Sequence, residues 1–227
     1  MIITIDGPAA SGKSTVARIV AEKLGFYYIC SGYLYRALAY LLVAKKGYTE
    51  QTIHSVQPED IAACFDPLQF AYHYQPSTKE HIVFDKEDIT AYLKDSTIDR
   101  IASITSVNEY VRHYVTVLQH SLAEGKNVVV DGRDVGSAVF PYADIKFYLT
   151  ASMDIRAQRW RSDQNMKGHH FSLQEAIEKL TSRDRRDQER STAPLIIPDG
   201  ALVIDTSLMT LDEVYEKMLT VVYEKKS

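Results

Sequence analysis

Residues 7 to 14 read Gly7-Pro8-Ala9-Ala10-Ser11-Gly12-Lys13-Ser14 and fit the spacing G-x-x-x-x-G-K-S/T, directly after one apolar run and before a helical one. Few octapeptides limit an architecture more. The glycines let backbone N–H groups close around phosphate oxygens, and the positive end of the following helix faces the same oxygens. The loop therefore has to join a strand, Ile2 to Asp6, to a helix whose apolar stripe is Val16, Ile19, Val20 and Leu24 and whose left-handed stop is Gly25. In that setting Lys13 reaches the β- and γ-phosphates of a nucleoside triphosphate, the Ser14 hydroxyl ligates Mg2+, and the loop as far as Thr15 surrounds the phosphates. The plainer alternative, a glycine turn that merely links strand to helix, has to account for eight positions in register.

Four further stretches rich in β-branched or aromatic residues read as buried strands: Phe26 to Cys30, Asn127 to Asp131, Ile145 to Leu149 and Ala201 to Asp205. Helical patterns lie between them. Alternation of this kind indicates an α/β protein with right-handed crossovers, which places ligands at the carboxyl ends of a parallel sheet. The chain has 227 residues, 45% hydrophobic and 25% charged, enough apolar material for a sizeable core. Its 26 basic and 30 acidic side chains leave a net charge of −4, which argues against nucleic acid or an anionic membrane as partner. Cys30 and Cys64 lack any CxxC spacing and read as buried, reduced thiols. The longest apolar run, Ala37 to Ala44, is far below the roughly 18 residues of a membrane span, and the start MIITIDG has no basic region, so a cytoplasmic location is expected.

Two segments break the rhythm. From about 66 to 92 the pattern has period two, with Leu68, Phe70, Tyr72 and Tyr74 on one face, a turn at Pro76-Ser77, then Ile82 and Phe84, which predicts an inserted antiparallel hairpin. From about 161 to 192 the chain is highly charged, and a helix opens on the capping box Ser172-x-x-Glu175. On that helix Arg183, Asp187 and Arg190 fall within about 60° of one another, with Arg186 beside them. A solvated helix with an Arg183–Asp187 pair is the bland reading. Against it, Ala193-Pro194-Leu195 halts the helix and returns the chain to the core, as a lid carrying guanidinium groups over phosphate would do. Asp131, which ends an apolar strand, is either a turn former or the second element that organises magnesium, there through water.

These residues resemble the bacterial-type cytidylate (CMP) kinase family of nucleoside monophosphate kinases, nearly end to end. The resemblance rests on the phosphate loop, on Ser31-Gly32-Tyr33-Leu34-Tyr35-Arg36, on the Ser103 to Arg112 spacing, on Asp131-Gly132-Arg133-Asp134-Val135-Gly136, and on the run from Arg183 to Leu195. It implies a three-layer P-loop core with a five-stranded parallel sheet, a small antiparallel β insertion and a helical lid. The corresponding ranges are 1–38, 100–160 and 193–227 for the core, 39–99 for the insertion and 161–192 for the lid. It implies phosphorylation of CMP or dCMP by ATP with Mg2+, and the chain is expected to be a monomer. Catalytic roles would fall to Lys13, Arg133, Arg183 and Arg190. Arg36 and Arg133 would hold the acceptor phosphate, Ser103, Arg183 and Asp187 would serve the sugar, and Ser31, Arg112, Asp134 and Arg190 would read the base. The chain departs from the family at Cys30, where aspartate is usual, at Ser31, often threonine, at Leu93-Lys94, commonly isoleucine-arginine, and at His120, commonly arginine.

Rival readings remain at this level: a P-loop switch, a kinase with another acceptor, or a base-stacking RNA platform at Phe70 to Tyr74. The switch lacks an N-K-x-D or T-K-x-D string, its nearest candidate being Thr78-Lys79-Glu80-His81, and the aromatic segment is acidic on balance.

Overall fold

A computed structural model describes residues 1–226. The strands are β1 (Ile2–Asp6), β2 (Tyr27–Cys30), β3 (Phe70–Gln75), β4 (Lys79–Phe84), β5 (Glu87–Asp88), β6 (Val128–Asp131), β7 (Ile145–Thr150) and β8 (Leu202–Asp205). The α-helices are α1 (Lys13–Leu24), α2 (Ser31–Lys46), α3 (Pro58–Cys64), α4 (Ser96–Thr105), α5 (Glu109–Ala123), α6 (Met153–Met166), α7 (Leu173–Glu189) and α8 (Leu211–Lys226). The larger sheet is parallel and has the order β2-β6-β1-β7-β8; β3, β4 and β5 form a second, antiparallel sheet. The chain divides into two compact units, Met1–Phe26 with Val129–Ser227, and Tyr27–Val128.

In the first unit β1 and β7 pair in parallel, with Ile3 opposite Ile145 and Asp6 opposite Tyr148. Their central residues, Ile3, Ile5, Phe147 and Leu149, are fully buried, as expected of strands covered by helices on both faces. β8 departs from the sequence reading. Of its four residues only Ile204 is buried, because β8 is an edge strand, and Leu202 and Val203 face outward. Helix α1 starts after Gly12 at φ +91° and stops at Gly25 at φ +67°, where the Phe26 N–H closes back onto the Ala21 carbonyl at 2.9 Å. The capping box of α7 is present, with Ser172 and Glu175 bonded reciprocally. Behind it Ala176 and Leu180 of α7 pack on Ala157 of α6 and on Ala9, so the phosphate loop itself enters the apolar contact of these two helices.

In the second unit the hairpin forms with Phe70 opposite Phe84 and Tyr72 opposite Ile82. Two features differ from the expectation. Leu68 is 93% exposed and outside the strand, because the Asp66 carboxylate accepts the Leu68 N–H at 2.9 Å and turns the chain before Phe70. A third strand, β5, adds two residues to β4, too short to show in an alternation pattern. The apolar face is aromatic: Tyr27, Tyr72 and Tyr74 meet edge to face, and the Tyr72 hydroxyl donates to the Tyr28 carbonyl at 3.1 Å. Both cysteines are buried thiols outside any disulfide. No helix among the described residues is long and apolar enough to cross a membrane.

Candidate active site

The phosphate loop runs from the end of β1 into α1. Gly7 has φ +142°, and a Cβ there would stand 1.9 Å from the Leu149 carbonyl oxygen, so the loop leaves the sheet through a gap that only glycine fits. Ala10 also lies in the left-handed region at φ +60°, an unfavourable conformation for an L-residue and the kind of local strain that gathers at functional loops. Gly7, Pro8, Ala9, Ser11 and Lys13 are buried, Ala10, Gly12 and Ser14 are half-buried, and Thr15 is exposed. The Lys13 ammonium donates to the Pro8 carbonyl at 2.6 Å and to the Ser11 hydroxyl at 3.3 Å. Burial first, then the charges of Arg133 and Arg183, drive its pKa well below the usual lysine range, with Asp131 and Asp6 opposing. An anion placed among these cations would draw the proton back. The Ser14 hydroxyl donates to Asp131 Oδ2 at 2.6 Å, bringing hydroxyl and carboxylate oxygens to one point at the ends of β1 and β6.

Beside the loop, the segment after β6 and the end of α7 interlock. Arg133 Nε donates to Asp187 Oδ2 at 2.9 Å, and Arg190 Nη2 donates to Asp134 Oδ1 at 3.0 Å. Arg190 Nη1 stands 3.9 Å from Asp187 Oδ1, and its Nε donates to the Ala193 carbonyl at 2.7 Å. Burial alone would raise the Asp187 carboxyl, yet Arg133, Arg183 and Arg190 together hold it below the usual carboxylate range. Arg133, which burial would lower, is raised instead by Asp187. The chain's return after α7 is tied to the same residue, since the Leu195 N–H donates to the Asp187 carbonyl at 2.7 Å. Arg186 donates to the Ser182 hydroxyl at 2.8 Å.

Three further residues support this arrangement, Arg156 and Asp6, which no motif singled out, and Asp184, which lies in the run from Arg183 to Leu195 without an assigned role. Arg156 of α6 donates to the Asp184 carboxylate and, at 3.2 Å, to the Ala9 carbonyl, while Asp184 accepts the Ala9 N–H at 3.4 Å. Both sides of one phosphate-loop residue are thus held by a buried ion pair spanning α6 and α7. The third is Asp6, whose carboxylate accepts backbone N–H groups of Val135 and Gly136. Helical spacing cannot show any of these, because each joins residues distant in sequence.

The second unit holds the other candidates. Ser31 is buried at the start of α2. Arg36, one turn on, gives both Nε and Nη2 to Asp99 Oδ1, at 2.9 and 2.7 Å, with its guanidinium 5.7 Å from the Tyr33 ring centre. Against the lowering effect of burial, Asp99 and then Cys30 raise the Arg36 pKa. Arg112 of α5 is buried, donates to the Ser106 carbonyl at 3.1 Å and lies 5.7 Å over the Tyr35 ring. Ser106 in turn donates to the carbonyl of buried Ser103 at 2.9 Å, so Ser103 and Arg112 are linked through one residue.

A parallel sheet whose first strand ends in a lysine-bearing phosphate loop, flanked by buried guanidinium groups, defines a P-loop phosphotransferase. The family model described as "Cytidylate kinase" matches residues 3–224. The chain is 38% identical to a cytidylate kinase of Caldanaerobacter subterraneus subsp. tengcongensis over 95% of its length and 92% of the relative's. It is 36% identical to one of Bacillus licheniformis, over 99% and 97% respectively, and 35% identical to one of Thermotoga maritima, over 98% and 97%. The chain belongs to the cytidylate kinase family and is a nucleoside monophosphate kinase.

Proposed function

We infer that this kinase transfers the γ-phosphate of ATP to CMP or dCMP, giving CDP or dCDP and ADP. The observation that carries the substrate choice is the buried group in which Asp134 and Asp187 are each gripped by a guanidinium. Cytosine offers an N4 donor with O2 and N3 acceptors, which a carboxylate and guanidinium donors complement. In this reading Asp134 accepts from N4, while Ser31, Arg112 and Arg190 face the other base edges. Ser103, Arg183 and Asp187 take the sugar, and Arg36 and Arg133 take the acceptor phosphate.

Phosphoryl transfer needs donor and acceptor oxygens in line and the charge on the equatorial oxygens neutralised. Lys13 and the backbone N–H groups of the loop from Gly7 to Thr15, Pro8 having none, would hold the β- and γ-phosphates, and Arg133, Arg183 and Arg190 would meet the charge that develops on the transferred group. The acceptor phosphate is already anionic near neutral pH, so no side chain has to remove a proton. The Ser14 hydroxyl and the Asp131 carboxylate are hard oxygen donors 2.6 Å apart and fit Mg2+, Ser14 directly and Asp131 through water. Bound there, Mg2+ would neutralise charge on the ATP phosphates. Uracil would present O4 to Asp134, leaving two acceptors facing each other at a cost of about 1 to 3 kcal/mol. ADP release measured with CMP, dCMP, UMP, AMP and no acceptor tests the reading. CMP and dCMP should exceed UMP about tenfold or more in kcat/KM; equal turnover of UMP and CMP would reject it.

A further inference from the structure

Nothing in the transfer reaction uses Asp6, yet this carboxylate is fully enclosed at the end of β1. Enclosing a carboxylate is costly unless its oxygens are matched by donors. Here Oδ1 accepts the Val135 N–H at 2.8 Å and Oδ2 accepts the Gly136 N–H at 2.7 Å. Charge-assisted bonds to two successive amides fix the direction of a backbone more strongly than one neutral bond would. On the near side of the same segment, the Gly132 N–H donates to the Ile5 carbonyl at 3.0 Å. Arg133 and Asp134 therefore occupy a two-residue span pinned to β1 at both ends, before by a backbone carbonyl and after by the Asp6 side chain.

Gly136 supports the same conclusion from its other side. A Cβ at that position would stand 2.6 Å from Thr4 Oγ1, 3.1 Å from Asp6 Oδ2 and 3.2 Å from Pro198 Cγ. Glycine is thus required by closeness rather than by an unusual φ, and what it approaches is the strand that carries Asp6. The turn that follows, Val135–Val139, is wound as a short π-helix, an arrangement often found at functional positions.

We propose that Asp6 is a positioning residue for acceptor recognition, its carboxylate fixing the backbone after Asp134 so that Asp134 and Arg133 present their charges at a set place. The proposal rests on Asp134 reading the base. Burial raises the Asp6 pKa to about 6, with the two amide bonds opposing it and the charges of Asp134 and Lys13 acting in opposite senses. The carboxylate is thus ionised, and accepts both bonds fully, only above that range.

The test compares wild type, Asp6→Asn, Gly136→Ala and Asp134→Asn as full-length enzymes, reading KM for CMP, KM for ATP, the UMP to CMP ratio of kcat/KM, and thermal midpoint. Asn at position 6 turns an N–H against one of the two amides. The expected result is a rise of about tenfold or more in KM for CMP and a several-fold rise in the UMP to CMP ratio, with KM for ATP within about twofold. A variant that loses stability or turnover while KM for CMP and the ratio stay at wild-type values overturns the proposal. If Asp134→Asn leaves the ratio unchanged, the reading of the base has failed, and the assignment of Asp6 built on it falls for that separate reason. Should Asp6→Asn not fold, Gly136→Ala presses on the same carboxylate from the other side and is judged by the same readouts.

Discussion

The two units hold guanidinium groups in contrasting ways. In the first, Arg133 and Arg190 share two carboxylates, Asp134 and Asp187, with side chains mostly 2–7% exposed and only Arg133 at 20%. In the second, Arg36 leans on the single acid Asp99, and both side chains are more than a quarter exposed. Water screens the second pair, whereas removing one acid from the first leaves cations with little solvent and fewer partners. Interlocking fixes geometry at the expense of tolerance; an open pair gives tolerance and less precise placement. In the proposed reading Arg133 and Arg190 would, besides their ligand contacts, meet charge that appears only in a transition state, whereas Arg36 would meet only a ligand phosphate that carries its charge throughout.

The contrast breaks most visibly in rate. Arg190→Met and Arg183→Met should each lower turnover by about 10³ to 10⁵ at saturating ATP and CMP, the range for an arginine facing transferring phosphate. Near-normal turnover in a folded variant would remove the first unit's distinction. Stability gives the next largest effect. Urea unfolding should show a loss of about 3 to 5 kcal/mol for Asp187→Ala, against at most about 1 kcal/mol for Asp99→Ala. Similar losses for the two would mean that enclosure does not separate the pairs. Arg36→Met is expected to raise KM for CMP by about tenfold to a hundredfold with a smaller change in kcat; a fall confined to kcat would place Arg36 with the first group instead.

The smallest effect sharpens the comparison inside the first unit, between two carboxylates shifted in opposite directions. Asp6 is raised from 3.8 to about 6, so its contribution to stability is fully present below pH 3.8 and is lost as pH rises through about 6. Asp187 is lowered, so its contribution is present above pH 3.8 and is lost as pH falls through its folded value. Amide resonances of Val135 and Gly136 should therefore move together with a midpoint near 6, a transition absent from Asp6→Asn. Two unrelated midpoints would show that the shared acceptor is not what they report.

Much of the frame was legible because its signals are local. Buried parallel strands announce themselves as short β-branched runs, and β1, β2, β6 and β7 lie within a residue of where those runs place them. The cap at Gly25 and the Ser172–Glu175 box are likewise set by neighbours within one turn. Exposure of β8 was not legible, since an edge strand and a central one share a composition and differ only in what lies beside them. The shared face of Arg183 and Asp187 follows from 100° per residue, whereas Arg190 lies just past the end of α7 with its backbone already extended at ψ +142°, so helical spacing does not place it. Asp6, Asp99 and Arg156 carried no signal, and Asp184, although inside the run from Arg183 to Leu195, carried none for its contacts: their partners stand 28 to 175 residues away and become neighbours only after folding.

The first glycine of the phosphate loop bears on how substitution data for such loops are interpreted. Its hydrogen lies against the carbonyl of Leu149, so any larger group would wedge β1 away from β7. Failure of a Gly7 variant would thus report congestion between two adjoining strands, and would say nothing about affinity for nucleotide. Within one octapeptide, residues chosen for their ligand and a residue chosen for its lack of bulk produce the same dead enzyme by unrelated routes.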